Sequence, residues 1–68
     1  MLYKPNFKAA RAIKGITQEN AATIIGVATS TLSKWENGET EPYASQVQKM
    51  SILYGISADK LLGSVPIV

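Results

Sequence analysis

The 68-residue sequence contains neither cysteine nor histidine. These two absences exclude disulfides, the usual zinc sites, cysteine–histidine nucleophile pairs and the serine–histidine–aspartate triad. Carboxylates are also few, five in all, and they are scattered along the chain without the pattern of a paired-carboxylate or metal site. We therefore predict that the protein is not an enzyme and that it has no metal, no cofactor and no small-molecule substrate.

Long apolar runs are missing as well. No stretch of about 18 apolar residues exists, and Met1–Pro5 is too short for a signal peptide. The sequence therefore predicts a cytoplasmic protein with no membrane partner. A chain of this length holds one small domain, and its 46% apolar content favours a well-packed helical core that needs no disulfide or metal. The formal net charge of +2 is only weak evidence for a polyanionic partner.

Helix start and stop signals predict an all-α fold, a compact bundle of five short helices. The predicted segments run between these capping and terminating residues: Asn6 to Gly15, Thr17 to Gly26, Thr29 to Gly38, Ala44 to Gly55 and Ser57 to Gly63. We assign residues 1–5 to an N-terminal extension and residues 6–63 to the helical domain. Residues 64–68 form an extended tail in this interpretation, because Pro66 disfavours helix at the residue before it.

The second and third predicted helices are separated only by residues 26–28, and so tight a connection holds two short helices at a steep angle. The third helix opens with four hydroxyl side chains and one cation: Thr29, Ser30, Thr31, Ser33 and Lys34. Serine and threonine at a helix start are usually capping residues, and a lone lysine is usually only solvated. The same groups also suit a DNA groove, where they can contact base edges and phosphates.

From Phe7 to Leu62 the sequence resembles the lambda-repressor and Cro type of helix-turn-helix, the XRE-like family. The matching residues and segments are Arg11, 15–19, Ala22, 25–27, 30–38, Pro42, 54–57 and 61–62. The resemblance implies sequence-specific binding of double-stranded DNA, with the helix at about residues 29–36 in the major groove. It implies a transcriptional regulator or repressor of phage or bacterial type.

The resemblance also implies a role for individual side chains. The residues expected to contact bases are Thr29, Ser30 and Lys34, and those expected to contact phosphates are Thr17, Gln18, Thr31, Ser33 and Asn37. Gln18 would in addition brace the recognition helix. Arg11 and Glu36 match a largely buried structural ion pair that ties the first helix to the end of the third.

The sequence departs from the family pattern in three places. Residues 39–41 read Glu-Thr-Glu where many relatives carry lysine or arginine, so we expect modest affinity and a shallow salt dependence. Ala28 replaces the usual capping hydroxyl, which costs about 1 kcal/mol unless Thr29 takes over the cap. Ala21 replaces a usual leucine, and we expect Trp35 to fill the space.

Several apolar residues lie outside the predicted core stripes. Besides Ile24, they are the candidates for a dimer surface: Ile52, Leu53, Val65, Ile67 and Val68. One recognition helix reads only a few base pairs, so we expect a homodimer on two DNA half-sites. Single exposed apolar residues are nevertheless ordinary. The alternative function is a protein-interaction module or antitoxin-like partner that keeps the fold with weak or no DNA binding.

Overall fold

The computed structural model describes residues 5–64, which form five α-helices connected by short turns. The helices are α1 (Phe7–Lys14), α2 (Gln18–Ile25), α3 (Thr29–Glu36), α4 (Ala44–Tyr54) and α5 (Ala58–Leu62). The all-α prediction is confirmed, and each predicted segment contains one helix. Within residues 5–64 no helix has the length and apolar character needed to cross a bilayer.

The turn between α2 and α3 follows from the local sequence. The Thr17 hydroxyl accepts a hydrogen bond from the Asn20 amide at 3.1 Å, so it caps α2 as predicted. Gly26 ends α2 with a φ of 90°, in the left-handed region that residues with a side chain rarely adopt. The chain therefore leaves α2 abruptly and enters α3 three residues later.

At the starts of α1 and α3 the predicted side-chain caps are not formed. Asn6 lies at the start of α1 but does not cap it. Its side-chain amide donates instead to the Lys60 carbonyl at 2.8 Å, which joins α1 to α5. Ala28 occupies the capping position of α3, where no side chain accepts a hydrogen bond, and Thr29 does not take over because it is already the first helical residue.

The core is a single cluster of apolar side chains from all five helices. Its buried members are Phe7, Ala10, Ala21, Ala22, Ile25, Leu32, Trp35, Val47, Met50, Tyr54 and Leu61. Trp35 and Ala21 both belong to it. Helix α4 packs against α1, α2 and α5, whereas α3 packs mainly on α1 and α2. Helix α3 is therefore held along one side and leaves the other side open.

Candidate nucleic-acid interface

Helix α3 has two chemically distinct faces. Leu32, Trp35 and Glu36 are buried. On the opposite side lie four polar residues that we call the outer stripe: Ser30, Ser33, Lys34 and Asn37, the last at the helix end. Their spacing of three and four residues places them on one surface of a helix with 3.6 residues per turn. The stripe offers hydroxyl, ammonium and amide groups, the donors and acceptors that suit base edges and phosphates.

The other predicted contact residues lie at the borders of this surface. Thr29 and Thr31 are half-buried and flank the buried face of α3 on its two sides. Thr17 is exposed at the start of α2, although its hydroxyl oxygen already accepts the capping bond. The residues predicted to contact bases and phosphates thus lie at the start of α2 and along α3 and its C-terminal end.

An ion pair between Arg11 and Glu36 attaches the end of α3 to α1. Arg11 Nε donates to Glu36 Oε2 at 2.7 Å, and Arg11 Nη2 donates to Glu36 Oε1 at 3.1 Å. Arg11 Nη1 also donates to the Ile16 carbonyl at 3.0 Å, in the turn before α2. The hydrogen bond with Glu36 raises the pKa of the Arg11 guanidinium above its usual range. Because Glu36 is only 7% exposed, its carboxylate depends on these protein donors.

Gln18 adds a third donor to the same carboxylate. Its Nε2 donates to Glu36 Oε1 at 3.0 Å, which links the first residue of α2 to the last residue of α3. The expected bracing of the recognition helix therefore has a defined partner. No local spacing rule relates residues 18 apart in sequence, so this contact depends on how α2 and α3 pack. The expected phosphate contact remains a prediction for the second Nε2 hydrogen, because a phosphate oxygen accepts hydrogen bonds and cannot donate to the amide oxygen.

Tyr54 of α4 lies within the electrostatic influence of this ion pair. Its hydroxyl oxygen is buried and has no hydrogen-bond partner among the residues that the structure describes. Burial, assisted by the negative charge of Glu36 and opposed by Arg11, raises the pKa of Tyr54 to about 12. The hydroxyl is therefore neutral at physiological pH. The apolar pattern of α4 indicates a core position for Tyr54 but not this electrostatic environment.

The positive charge near the outer stripe is small. Lys34 is the only cation in the sequence between residues 15 and 48, and Arg11 is already paired with Glu36. Asn37 Nδ2 donates to Glu39 Oε2 at 3.4 Å, which brings a carboxylate to the end of the stripe. This position gives the expected repulsion of phosphates a geometric basis.

The residues predicted to form a dimer surface are not all available on one surface. Ile52 is 79% exposed, as expected for a contact residue. Leu53, in contrast, is partly buried and packs against the core, so its assignment as a surplus surface residue is corrected. Val65, Ile67 and Val68 lie outside the described residues. Among residues 5–64, no group of three potential metal ligands lies together.

Comparison with known proteins gives matches over the same region. The helix-turn-helix family model matches residues 7–61. The chain is 39% identical over 54 residues to YazB, an uncharacterized HTH-type transcriptional regulator of Bacillus subtilis, covering 79% of this chain and 78% of that protein. It is 38% identical over 56 residues to the B. subtilis HTH-type transcriptional regulator ImmR, covering 82% of this chain but 44% of ImmR.

A solved structure has the same arrangement of helices. The chain superposes on a transcriptional regulator from Listeria innocua with a TM-score of 0.78 and 25% sequence identity. The match covers 93% of this chain and 59% of the other. ImmR and the Listeria protein therefore both contain further residues that have no counterpart in the 68-residue chain.

Proposed function

We propose that this chain, which belongs to the lambda-repressor-like (XRE) helix-turn-helix family, is a DNA-binding transcriptional regulator that reads specific duplex sites with α3. The relatives are transcriptional regulators, a non-enzymatic class. The observation that supports α3 most strongly is its division into a polar outer stripe and a buried face fixed by Arg11 and Gln18. A helix held rigidly on one side presents its other side with little loss of entropy on binding.

Base reading is assigned to Thr29, Ser30 and Lys34. Lys34 can donate to guanine O6 and N7, and the Ser30 hydroxyl can donate to or accept from base edges. Thr29 has both a hydroxyl and a methyl group, and the methyl can contact the thymine methyl. Ser30 and Lys34 are one helical turn apart and both exposed, which supports contact with neighbouring base pairs.

Phosphate contact is assigned to residues beside the base-reading positions. These are Thr17, Gln18, Thr31, Ser33 and Asn37, all of which have hydroxyl or amide side chains. Neutral contacts of this kind position the protein on DNA but release few counterions. With Glu39 beside Asn37, we expect a shallower salt dependence than for proteins that neutralise six to ten phosphates.

The proposed binding form is a homodimer on two inverted half-sites. One eight-residue helix reads only a few base pairs, and a two-fold dimer doubles the length of DNA that is read. Binding to chromosomal or phage DNA also implies a cytoplasmic location. Repression by occupation of an operator is the proposed outcome.

Selection of bound duplexes from a random-sequence pool at about 100 mM salt tests this function. We expect the enrichment of paired inverted half-sites. Lys34→Ala should change the selected sequence, whereas Lys60→Ala, which removes the same charge from α5, should leave it unchanged. Folded protein that enriches no sequence would contradict the proposal and favour the protein-interaction module, which the carboxylate of Glu39 beside Asn37 also favours.

A further inference from the structure

Asn37 and Gly38 form an asparagine–glycine pair at the C-terminal end of α3. Asn37 is exposed and is the last residue of the outer stripe. Asparagine is thermally labile, because the backbone nitrogen of the following residue can attack its side-chain amide. Glycine hinders this attack least, since it has no Cβ. The other two asparagines of the chain are followed by Phe7 and Ala21, so position 37 has the most reactive local sequence.

The reaction at this pair consumes only water. The Gly38 backbone nitrogen loses its proton and forms a bond to Cγ of Asn37, and Nδ2 leaves as ammonia. Water then opens the five-membered succinimide at either carbonyl, which gives aspartate or isoaspartate. Both products carry a carboxylate, which only accepts hydrogen bonds, in place of an amide that also donates them. The isoaspartate product in addition has one more methylene in its main chain.

The folded structure holds the pair in a conformation that does not react. Asn37 has a ψ of −5°, so the Gly38 nitrogen nearly eclipses the Asn37 backbone nitrogen and not Cβ, which ring closure requires. The Gly38 nitrogen also donates to the Trp35 carbonyl at 3.1 Å, and the Glu39 nitrogen donates to the Lys34 carbonyl at 2.9 Å. Rotation of Asn37 into the reactive conformation breaks both hydrogen bonds. The last turn of α3 must therefore open before the reaction can occur.

We propose that Asn37 is a deamidation site whose rate is set by the opening of the last turn of α3, and that the modified protein binds DNA more weakly. Asn37 Nδ2 lies 3.4 Å from Glu39 Oε2, so the new carboxylate would lie beside an existing one at the end of the outer stripe. Adjacent negative charges there oppose the approach of phosphates. The loss of DNA binding rests on the proposed function, whereas the modification itself requires no DNA.

Peptide mapping by mass spectrometry tests the position of the reaction. Trypsin cleaves after Lys34 and Lys49, which isolates Asn37 as the only asparagine of the peptide 35–49. The protein is incubated in mildly alkaline buffer containing enough urea to unfold it. We expect product in this peptide well before Asn20 or Asn6 reacts, and these two residues are internal controls in the same sample. Reaction at Asn20 or Asn6 as fast as at Asn37 would overturn the proposal.

The same incubation without urea tests the role of the fold. We expect Asn37 to react at least about tenfold more slowly in the folded protein than in urea, the ratio given by an opening free energy of about 1.4 kcal/mol. Gly38→Ala should slow the reaction in urea, where the strain of an alanine at the φ of +77° plays no part. Equal rates with and without urea would refute control by the helix turn, and no slowing by Gly38→Ala would refute attack by the backbone nitrogen.

Duplex binding by Asn37→Asp tests the consequence for DNA. We expect binding at low salt to weaken roughly two- to tenfold for every sequence. Gln48→Glu makes the same exchange of amide for carboxylate at an exposed position of α4 and should have a smaller effect. Equal losses in the two variants would contradict the proposed position effect, and urea denaturation checks that both variants are folded.

The outcomes separate this inference from the proposed function. Wild-type protein that selects a DNA sequence but does not react preferentially at Asn37 would refute the modification site and leave DNA recognition intact. Deamidation at Asn37 in a protein that selects no sequence would support the site and refute the proposed function.

Discussion

The two faces of α3 differ in almost every respect although the helix has only eight residues. The buried face contains Leu32, Trp35 and Glu36, and its carboxylate receives hydrogen bonds from α1 and α2. The outer stripe contains hydroxyls, one lysine and one amide, and among residues 5–64 its only side-chain hydrogen bond is the long one from Asn37 to Glu39. Residues adjacent in sequence therefore have different roles. Those on the buried face stabilise the fold, and those on the outer stripe are accessible to a ligand.

Loss of DNA binding therefore has two separate origins in this helix. A change on the buried face removes binding by unfolding the domain, whereas a change on the outer stripe removes binding from a folded domain. The single tryptophan, Trp35, is buried and reports folding in every variant below. Each measurement of DNA binding can therefore be paired with a measurement of stability on the same protein.

The largest expected effect on stability comes from removing the Arg11 guanidinium that pairs with Glu36. Arg11→Ala leaves the Glu36 carboxylate buried without its two guanidinium bonds, and we expect a loss of about 3–5 kcal/mol in the free energy of unfolding. Urea denaturation followed by Trp35 fluorescence measures the loss. Lys14→Ala removes an exposed cation from the same helix and should change stability by less than about 0.5 kcal/mol. Similar losses in the two variants would show that the ion pair does not determine stability.

The environment of Tyr54 predicts a loss of stability at high pH. The folded-state pKa of about 12 exceeds the usual value of 10 for the unfolded chain, so folding favours the neutral hydroxyl. This contribution is fully present below pH 10 and is lost as the pH rises towards 12, for a total of about 2–3 kcal/mol.

Tyr54→Phe is the matched control, because it keeps the ring and removes the ionisable group. Between pH 10 and 12 the variant should lose about 2–3 kcal/mol less stability than the wild type. At pH 7 it should be at least as stable, since the buried hydroxyl has no partner within residues 5–64. Parallel pH profiles for the two proteins would argue against this environment.

Substitutions on the outer stripe should affect DNA and spare stability. Ser30→Ala and Lys34→Ala are each expected to reduce discrimination between the preferred and other sites by roughly 1–3 kcal/mol. Gln18→Ala should weaken binding to all sites alike and also destabilise the fold, because it removes a bond to Glu36. Binding titrations on matched and mismatched duplexes, with urea denaturation of each protein, test this division. Uniform losses across sequences for all three variants would refute it.

The carboxylate at the end of the stripe should oppose binding. Glu39→Gln keeps a side-chain oxygen near Asn37 and removes the negative charge, so we expect roughly two- to tenfold tighter binding to every duplex at low salt. Asp59→Asn, on α5 and outside the proposed DNA interface, is a control of equal charge change. If the two substitutions strengthen binding equally, only net charge matters and the position of Glu39 does not.

The smallest expected effect concerns the start of α3. Ala28 and Thr17 have nearly the same backbone conformation, with φ and ψ of −69° and 148° against −72° and 158°. Only Thr17 provides a capping oxygen. Ala28→Ser should therefore increase the free energy of unfolding by about 0.5–1 kcal/mol. Thr17→Ala should decrease it by a similar amount, and no gain from Ala28→Ser would mean that the serine side chain does not reach the free amides.

Much of the fold follows from local sequence. Glycines at positions 15, 26, 55 and 63 end helices, Thr17 caps one, and apolar spacing identifies the buried side of each helix. Such features act over one or two turns, so they are visible in a single sequence. The DNA-contacting roles of the hydroxyls and Lys34 of α3 came from the chemistry of these side chains, which suits a groove, and from the family resemblance, and they stay a prediction.

Partners distant in the chain could not be predicted in this way. Asn6 was expected to cap α1 but bonds Lys60 of α5, and Leu53 was expected at the surface but packs against the core. In both cases the local sequence is compatible with the prediction, a cap for Asn6 and an exposed position for Leu53. The packing of other helices provides a different contact instead. The groove lined by Val47 and Leu62 likewise exists only because α5 packs against α4.

The sequence by itself determined the five helices, the turn at Gly26 and the polar outer stripe, because helix capping and helix periodicity depend on residues a few positions apart. Only the tertiary structure decided that Gln18 bonds Glu36, that Tyr54 lies near the ion pair, and that Val47 and Leu62 line one groove between α4 and α5. These contacts join residues from different helices, and their geometry is fixed by how the helices pack around the shared core.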